Sequence, residues 1–178
     1  MALAVVAYPV LNRNDYRMIQ DFRKENDELY YSVIEPHFTF VFPVDEVDKP
    51  KFLEEIYKKL NGVEQIDFKI RCATVNKDAI LDLYHLLLVP DEGYSKIVKL
   101  HDRLYSDLLF TCLRLDIDFI PHVAIANSPD KYKIKKLADD WNKTKFIIKG
   151  KVDSLTIVDY TGNVLTNLEH IALSSRSI

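Results

Sequence analysis

Two stretches of this chain carry one pattern. Pro36-His37-Phe38-Thr39-Phe40 and Pro121-His122-Val123-Ala124-Ile125 both read proline, histidine, apolar, small, apolar. Proline fixes φ and has no N–H to give a central ladder, so each copy opens a strand with the histidine at its beginning. Strand side chains alternate, which puts His37 and Thr39 on one face and Phe38 and Phe40 on the other. His122 and Ala124 oppose Val123 and Ile125 in the same way. With the apolar residues in a core, an imidazole and a hydroxyl look outward from the first copy, about 7 Å apart along the strand. A helical pattern follows each copy. A duplicated strand-then-helix unit suggests two structurally similar lobes. If their polar faces meet, the two imidazoles converge on one cleft. A lone His-x-Thr match would arise by chance; the second copy with the same preceding proline gives the pattern its weight.

Around the repeat, periodicity gives a mixed α+β order rather than a strict βαβ alternation. Residues 2–8 form a strand stopped by Pro9, and a helix runs from Asn14 or Asp15 as N-cap to about Leu29. Asp48 caps the next helix, Phe52, Ile56 and Leu60 form its stripe, and Gly62 ends it. Residues 66–75 and 79–89 are rich enough in branched side chains for core strands. Ile97, Leu100, Leu104 and Leu108 mark a helix, and residues 119–126 a strand. Ile134, Leu137, Ala138 and Trp141 mark a last helix capped by Asp130. Residues 145–158 and 164–173 form a closing strand pair, turned at Thr161, Gly162 and Asn163. With four glycines and no Gly/Ser-rich or Pro-rich linker, residues 1–178 read as one domain.

A formal net charge of −3 argues against a broad duplex-DNA surface, yet leaves room for a small phosphorylated ligand or an RNA end. Cys72 and Cys112 lie in no CxxC arrangement and read as free thiols of a reducing compartment. The opening run, residues 2–7, is too short for a signal segment or a membrane span, so the expected location is cytoplasmic, without a membrane partner. No metal-ligand spacing occurs, and no cofactor is expected.

Histidine titrates near pH 6.5, so one ring of a facing pair can be neutral while the other is protonated. That is the requirement for general acid–base phosphoryl transfer. The neutral ring takes a proton from water or a hydroxyl, and the imidazolium gives one to the leaving oxygen. Thr39 would donate a hydrogen bond to a phosphoryl oxygen as charge develops there. Among the other histidines, His85 reads as a core-strand residue, His101 as a partly buried surface residue, and His170 as one that could reach a cleft. Tyr8 is a candidate for stacking on a base at the cleft rim, and residues 131–136 read as a solvated helix face.

At His37-Phe-Thr-Phe40 and His122-Val-Ala-Ile125 the chain resembles the two-histidine (2H) phosphoesterase superfamily, specifically its 2′-5′ RNA ligase-like branch. The resemblance implies two pseudo-symmetric lobes whose antiparallel sheets flank a central cleft, with helices outside. It implies His37 and His122 as the acid/base pair, Thr39 as the substrate-binding phosphate donor, and no metal. Ala124 departs from the pattern, standing where the family usually has Thr or Ser, so one phosphate-holding hydroxyl is absent. The activity implied is opening of a cyclic or 2′-5′ phosphodiester, such as a 2′,3′-cyclic phosphate RNA end or a cyclic nucleotide. The alternative is a module that binds a nucleotide or phosphate without turning it over, which Ala124 favours and the two histidines disfavour.

Overall fold

The structure is a computed structural model and describes residues 1–175; the last three residues of the expected 1–178 domain lie outside the described residues. In chain order the elements are β1 (Leu3–Ala7), β2 (Val10–Leu11), α1 (Arg13–Asn26), β3 (Phe38–Val44), α2 (Lys49–Leu60), β4 (Ile66–Lys77) and β5 (Tyr84–Glu92). Then come α3 (Tyr94–Leu104), a 3₁₀ helix (Asp107–Cys112), β6 (Val123–Ser128), α4 (Lys131–Lys143), β7 (Ile148–Val152), β8 (Ser154–Thr161) and β9 (Val164–Ala172). Two sheets result, ordered β3-β1-β8-β9 and β2-β7-β4-β5-β6, and all their strand pairings are antiparallel. This is an α+β fold with helices outside two facing sheets.

β1 shows how an unbroken apolar run is used. Leu3, Val5 and Ala7 join the main core, while Ala4 and Val6 join a smaller cluster with Val158 on the opposite face. The strand is buried on both faces, so its sequence does not alternate. The main core draws on both sheets and includes Phe38, Phe40, Val123 and Ile125. The Phe38 ring meets Phe68 edge to face, with centroids 5.1 Å apart. Phe68 in turn lies over Gly150, where an added Cβ would come within 2.4 Å of the ring. Glycine is required there by close approach.

β3 and β6, the strands that follow the two histidines, are each the edge of their sheet. Edge positions suit the prolines, but they leave backbone groups unpaired. α3 supplies partners for β3: His101 Nδ1 donates to the Phe40 carbonyl at 2.9 Å, and the Phe42 amide donates to the Tyr105 hydroxyl at 2.9 Å. His101 also stacks on Phe119, with centroids 3.5 Å apart. It is therefore not a surface residue, as the sequence suggested, but is 3% exposed, and burial lowers its pKa despite the bond to Phe40. The ring braces the strand that carries Thr39.

Several boundaries move. The cap of α1 is Asn12, whose side chain accepts from the amides of Asn14 and Asp15, and the helix ends at Asn26. Residues 79–83 form a turn rather than strand, because the Asp78 carboxylate takes the amides of Ile80 (2.7 Å) and Leu81 (2.6 Å). The helix expected from Ile97 through Leu108 stops at Leu104, and Leu108 lies in the 3₁₀ segment. Residues 145–158 are two strands in different sheets: β7 pairs β4 and β2, whereas β8 pairs β1 and β9. The caps Asp48 and Asp130 stand as expected, as does the 161–163 turn, where Gly162 and Asn163 both take the positive φ that a tight hairpin needs.

The approach to His37 is pinned by a buried ion pair. Arg23 and Asp27, one turn apart at the end of α1, are 2.9 Å from each other, with side chains 1% and 2% exposed. Arg23 also donates to the carbonyls of Tyr30 (3.1 Å) and Ile34 (2.8 Å), so residues 30–34 are held to the helix. Asp27 accepts from the Tyr30 amide at 3.1 Å and from the Asn127 side chain on β6. Removing one partner would leave the other charge buried and uncompensated. Asp27→Ala is thus expected to destabilise the protein by about 3–5 kcal/mol, read as a lower urea midpoint with an unchanged m-value.

Candidate active site

A cavity of about 560 Å³ opens between the sheets, and His37, Thr39, His122 and Ala124 all line it. Thr39 lies on β3 and Ala124 on β6, while the histidines, expected at the strand beginnings, stand one residue before each strand, and the two copies of the repeat still bring their polar faces to one volume. The phenylalanines, valine and isoleucine between them are at most 1% exposed.

Both imidazoles are held alike. His37 Nδ1 lies 2.8 Å from the Glu35 carbonyl, and His122 Nδ1 lies 2.5 Å from the Ile120 carbonyl, in each case two residues upstream. A carbonyl only accepts, so Nδ1 carries the proton and Nε2 keeps its lone pair when the ring is neutral. Among the described residues neither Nε2 has a protein partner. Among the described residues the one fully buried side-chain nitrogen or oxygen without a hydrogen-bond partner is Glu55 Oε1, so neither Nε2 is sealed from the cavity.

Burial dominates the electrostatics. It brings His37 down to about 4, opposed by the bond to Glu35 and reinforced by the charges of His122 and Arg23. Burial also lowers His122, opposed by its bond to Ile120 and reinforced by the charge of His85. Burial therefore holds both rings neutral near pH 7. Lys77 is the one lysine or arginine among the lining residues, beside Asp78, Asp116 and Asp118, so the walls add little positive charge of their own.

The Thr39 hydroxyl has no hydrogen-bond partner among the described residues and is free for a ligand. Ala124 faces the cavity with a methyl group only. Tyr8 lines a neighbouring cavity of about 480 Å³, and its hydroxyl donates to Asn167 at 3.2 Å. His170 is exposed on β9 and lines neither cavity. His85, read from the sequence as a core residue, is 9% exposed but lines the site, with Nε2 2.8 Å from Asp78 Oδ2. Its phase carried the signal: His85 is two residues from Leu87 and shares its face, opposite the face of Leu86 and Leu88. Among the described residues no group of three or more His, Cys, Asp or Glu is arranged to hold a metal ion. No helix among them is long and apolar enough to cross a membrane.

Two facing antiparallel sheets, each presenting a Pro-His edge strand to one cavity, define a two-lobed phosphoesterase-like architecture. The family model described as the 2′-5′ RNA ligase superfamily matches residues 11–164, and the chain belongs to that superfamily. Membership supports a phosphodiesterase-type activity. The solved structure of Usb1 from Kluyveromyces marxianus is similar at 7% identity and a TM-score of 0.57, covering 96% of this chain and 97% of that one. E. coli LigT complexed with 3′-AMP is similar at 16% identity and a TM-score of 0.55, over 97% and 98% of the two chains. LigT complexed with NADP⁺ gives 14%, 0.56, and 97% of each chain. At these identities the likeness concerns the fold. No curated protein sequence matches the chain.

The neutral histidines have a consequence for stability. A folded-state pKa below the unfolded value of 6.5 means the unfolded chain takes up the proton first as pH falls. The stability contributed by neutral His37 is complete above pH 6.5 and is lost as pH falls toward about 4. Urea midpoints measured across that window are expected to fall more steeply for the wild type than for His37→Gln, which lacks the titrating ring.

Proposed function

We propose that the protein is a phosphodiesterase that opens a cyclic or 2′-5′ phosphodiester, such as a 2′,3′-cyclic phosphate RNA end or a cyclic nucleotide, by two-histidine acid–base catalysis. The observation that carries the reading is the matched pair of imidazoles, one from each sheet edge. Each has Nδ1 locked on a backbone carbonyl, leaving Nε2 free toward a shared cavity. A single phosphoryl group between two such nitrogens meets a base on one side and an acid on the other.

The neutral cavity sets the order of events. A phosphodiester brings one negative charge into a volume where burial disfavours imidazolium, and that charge favours protonation of one ring. The protonated ring then donates to the leaving oxygen while the neutral ring takes a proton from the attacking water or hydroxyl. The Thr39 hydroxyl donates to a non-bridging oxygen as its charge grows. The organic part of the ligand meets a largely apolar surface, including Val6, Ile34, Phe42, Phe119 and Leu165, which suits a nucleoside better than a second anion. Complexes of the similar LigT with 3′-AMP and NADP⁺ support a nucleotide-sized ligand. In this reading the whole chain acts as one domain in the cytoplasm, where Cys72 and Cys112 stay reduced.

Ala124 favours a second reading, a nucleotide-binding module without turnover, since that half of the site has no hydroxyl. Kinetics separate the two. On 2′,3′-cyclic nucleotides the catalytic reading expects a bell-shaped pH–rate profile belonging to the histidine pair, unaffected by chelators. His37→Ala and His122→Ala are expected to remove nearly all turnover with the fold intact, and Thr39→Ala to lower kcat by roughly 10²–10³. A folded wild type that binds these nucleotides and hydrolyses none of them establishes the module instead.

A further inference from the structure

The two halves of the site are unequal, and a third imidazole sits on the weaker side. His37 has the Thr39 hydroxyl beside it, whereas His122 has the Ala124 methyl. In the β5–β6 ladder Leu87 lies opposite Ala124, and His85 is two residues along β5. Both Leu87 and His85 line the cavity, as do His122 and Ala124. A break in the ladder's register falls between Leu86 and Leu87, so it is the shared cavity rather than regular ladder spacing that brings His85 and Ala124 together. We propose that His85, held by Asp78, is the hydrogen-bond donor to a phosphoryl oxygen in the half of the site where Ala124 offers none. This assignment rests on the phosphodiesterase reading and adds a third residue to its machinery.

Asp78 is built to hold the ring still. One carboxylate oxygen takes the amides of Ile80 and Leu81, and the other takes His85 Nε2 at 2.8 Å. These bonds keep Asp78 ionised and below the usual carboxylate range, against the opposing effect of its burial. Since a carboxylate accepts, Nε2 carries a proton toward Asp78, and Nδ1 is the atom left over. Nδ1 has no protein partner among the described residues and is not sealed from solvent. With a proton on Nδ1 as well, the ring is an imidazolium between two anions, Asp78 behind it and the phosphoryl group before it. Its Nδ1–H is then a charge-assisted donor. Lys77, the lysine on this wall, is turned to Asp82 at 3.5 Å and to the Tyr84 ring.

A purely structural Asp78–His85 pair, closing the 78–83 turn, predicts different behaviour toward ligand. Three variants and one spectroscopic measurement separate the cases: His85→Phe, Ala124→Thr and the double variant, each assayed on 2′,3′-cyclic nucleotides. Imidazole ¹⁵N NMR of the wild type is recorded with inorganic phosphate as the probe. His85→Phe is expected to lower kcat/KM by roughly 10²–10³, as for loss of one oxyanion donor. Adding Ala124→Thr to that variant is expected to restore about tenfold, because a hydroxyl returns to the same half-site, while Ala124→Thr alone changes the wild type far less. Phosphate is expected to move His85 Nδ1 to a protonated, hydrogen-bonded signal. If the wild type hydrolyses no phosphodiester but phosphate still moves that signal, the donor role stands and the phosphodiesterase reading falls. A His85 Nδ1 signal indifferent to saturating phosphate, or a folded His85→Phe with unchanged kcat/KM, overturns the proposal.

Discussion

The site depends on an ion pair outside its lining. Arg23 and Asp27 are almost wholly buried, and together they engage the end of α1, the carbonyls of Tyr30 and Ile34, and the side chain of Asn127 on β6. A buried salt bridge is weak evidence for stability, because desolvation can cancel the Coulomb gain. Its value here is positional. The segment that delivers Pro36 and His37 has no regular secondary structure, so without Arg23 its carbonyls at Tyr30 and Ile34 would lose their fixed partners. Asp27, through Asn127, joins that segment to the strand that follows His122. One buried carboxylate thus ties the two half-sites to a common frame.

The same burial that fixes the geometry sets the chemistry. Enclosure lowers the proton affinity of both rings, His37 to about 4, and a pair of neutral imidazoles cannot by itself supply an acid. In the proposed mechanism the missing charge comes with the ligand: an anion between the rings would let one of them hold a proton, so that the acid–base pair is assembled only when a phosphoryl group is bound. The near absence of lysine and arginine in the walls fits this scheme. A permanent cation beside the histidines would hold the phosphate without any need to protonate a ring.

The repeat was readable because proline, histidine and alternation are local signals, and each constrains the strand that contains it. Burial of Phe38, Phe40, Val123 and Ile125 followed from alternation alone, and the caps Asp48 and Asp130 from their side-chain chemistry. Sheet membership was not local. Residues 145–158 read as one strand because only Asp153 separates Val152 from Ser154, and nothing nearby shows that β7 and β8 join different sheets. Nothing local marks the Arg23–Asp27 pair, since its partners at Tyr30, Ile34 and Asn127 come from the tertiary fold. His85 was hidden by a run of leucines whose length suggested a strand buried on both faces. Its turn-held partner Asp78 shows that one face meets the cavity.

The central claim is that the empty site is neutral and acquires its acid from the bound anion. The direct test is proton uptake on binding, by calorimetry near pH 7 in buffers of different ionisation enthalpy. A slowly hydrolysed 2′,3′-cyclic phosphorothioate suits the purpose, because its single charge does not titrate there. The account predicts uptake of about one proton per ligand by the wild type, and markedly less by His37→Gln and His122→Gln. Binding without proton uptake, or no binding at all, contradicts it.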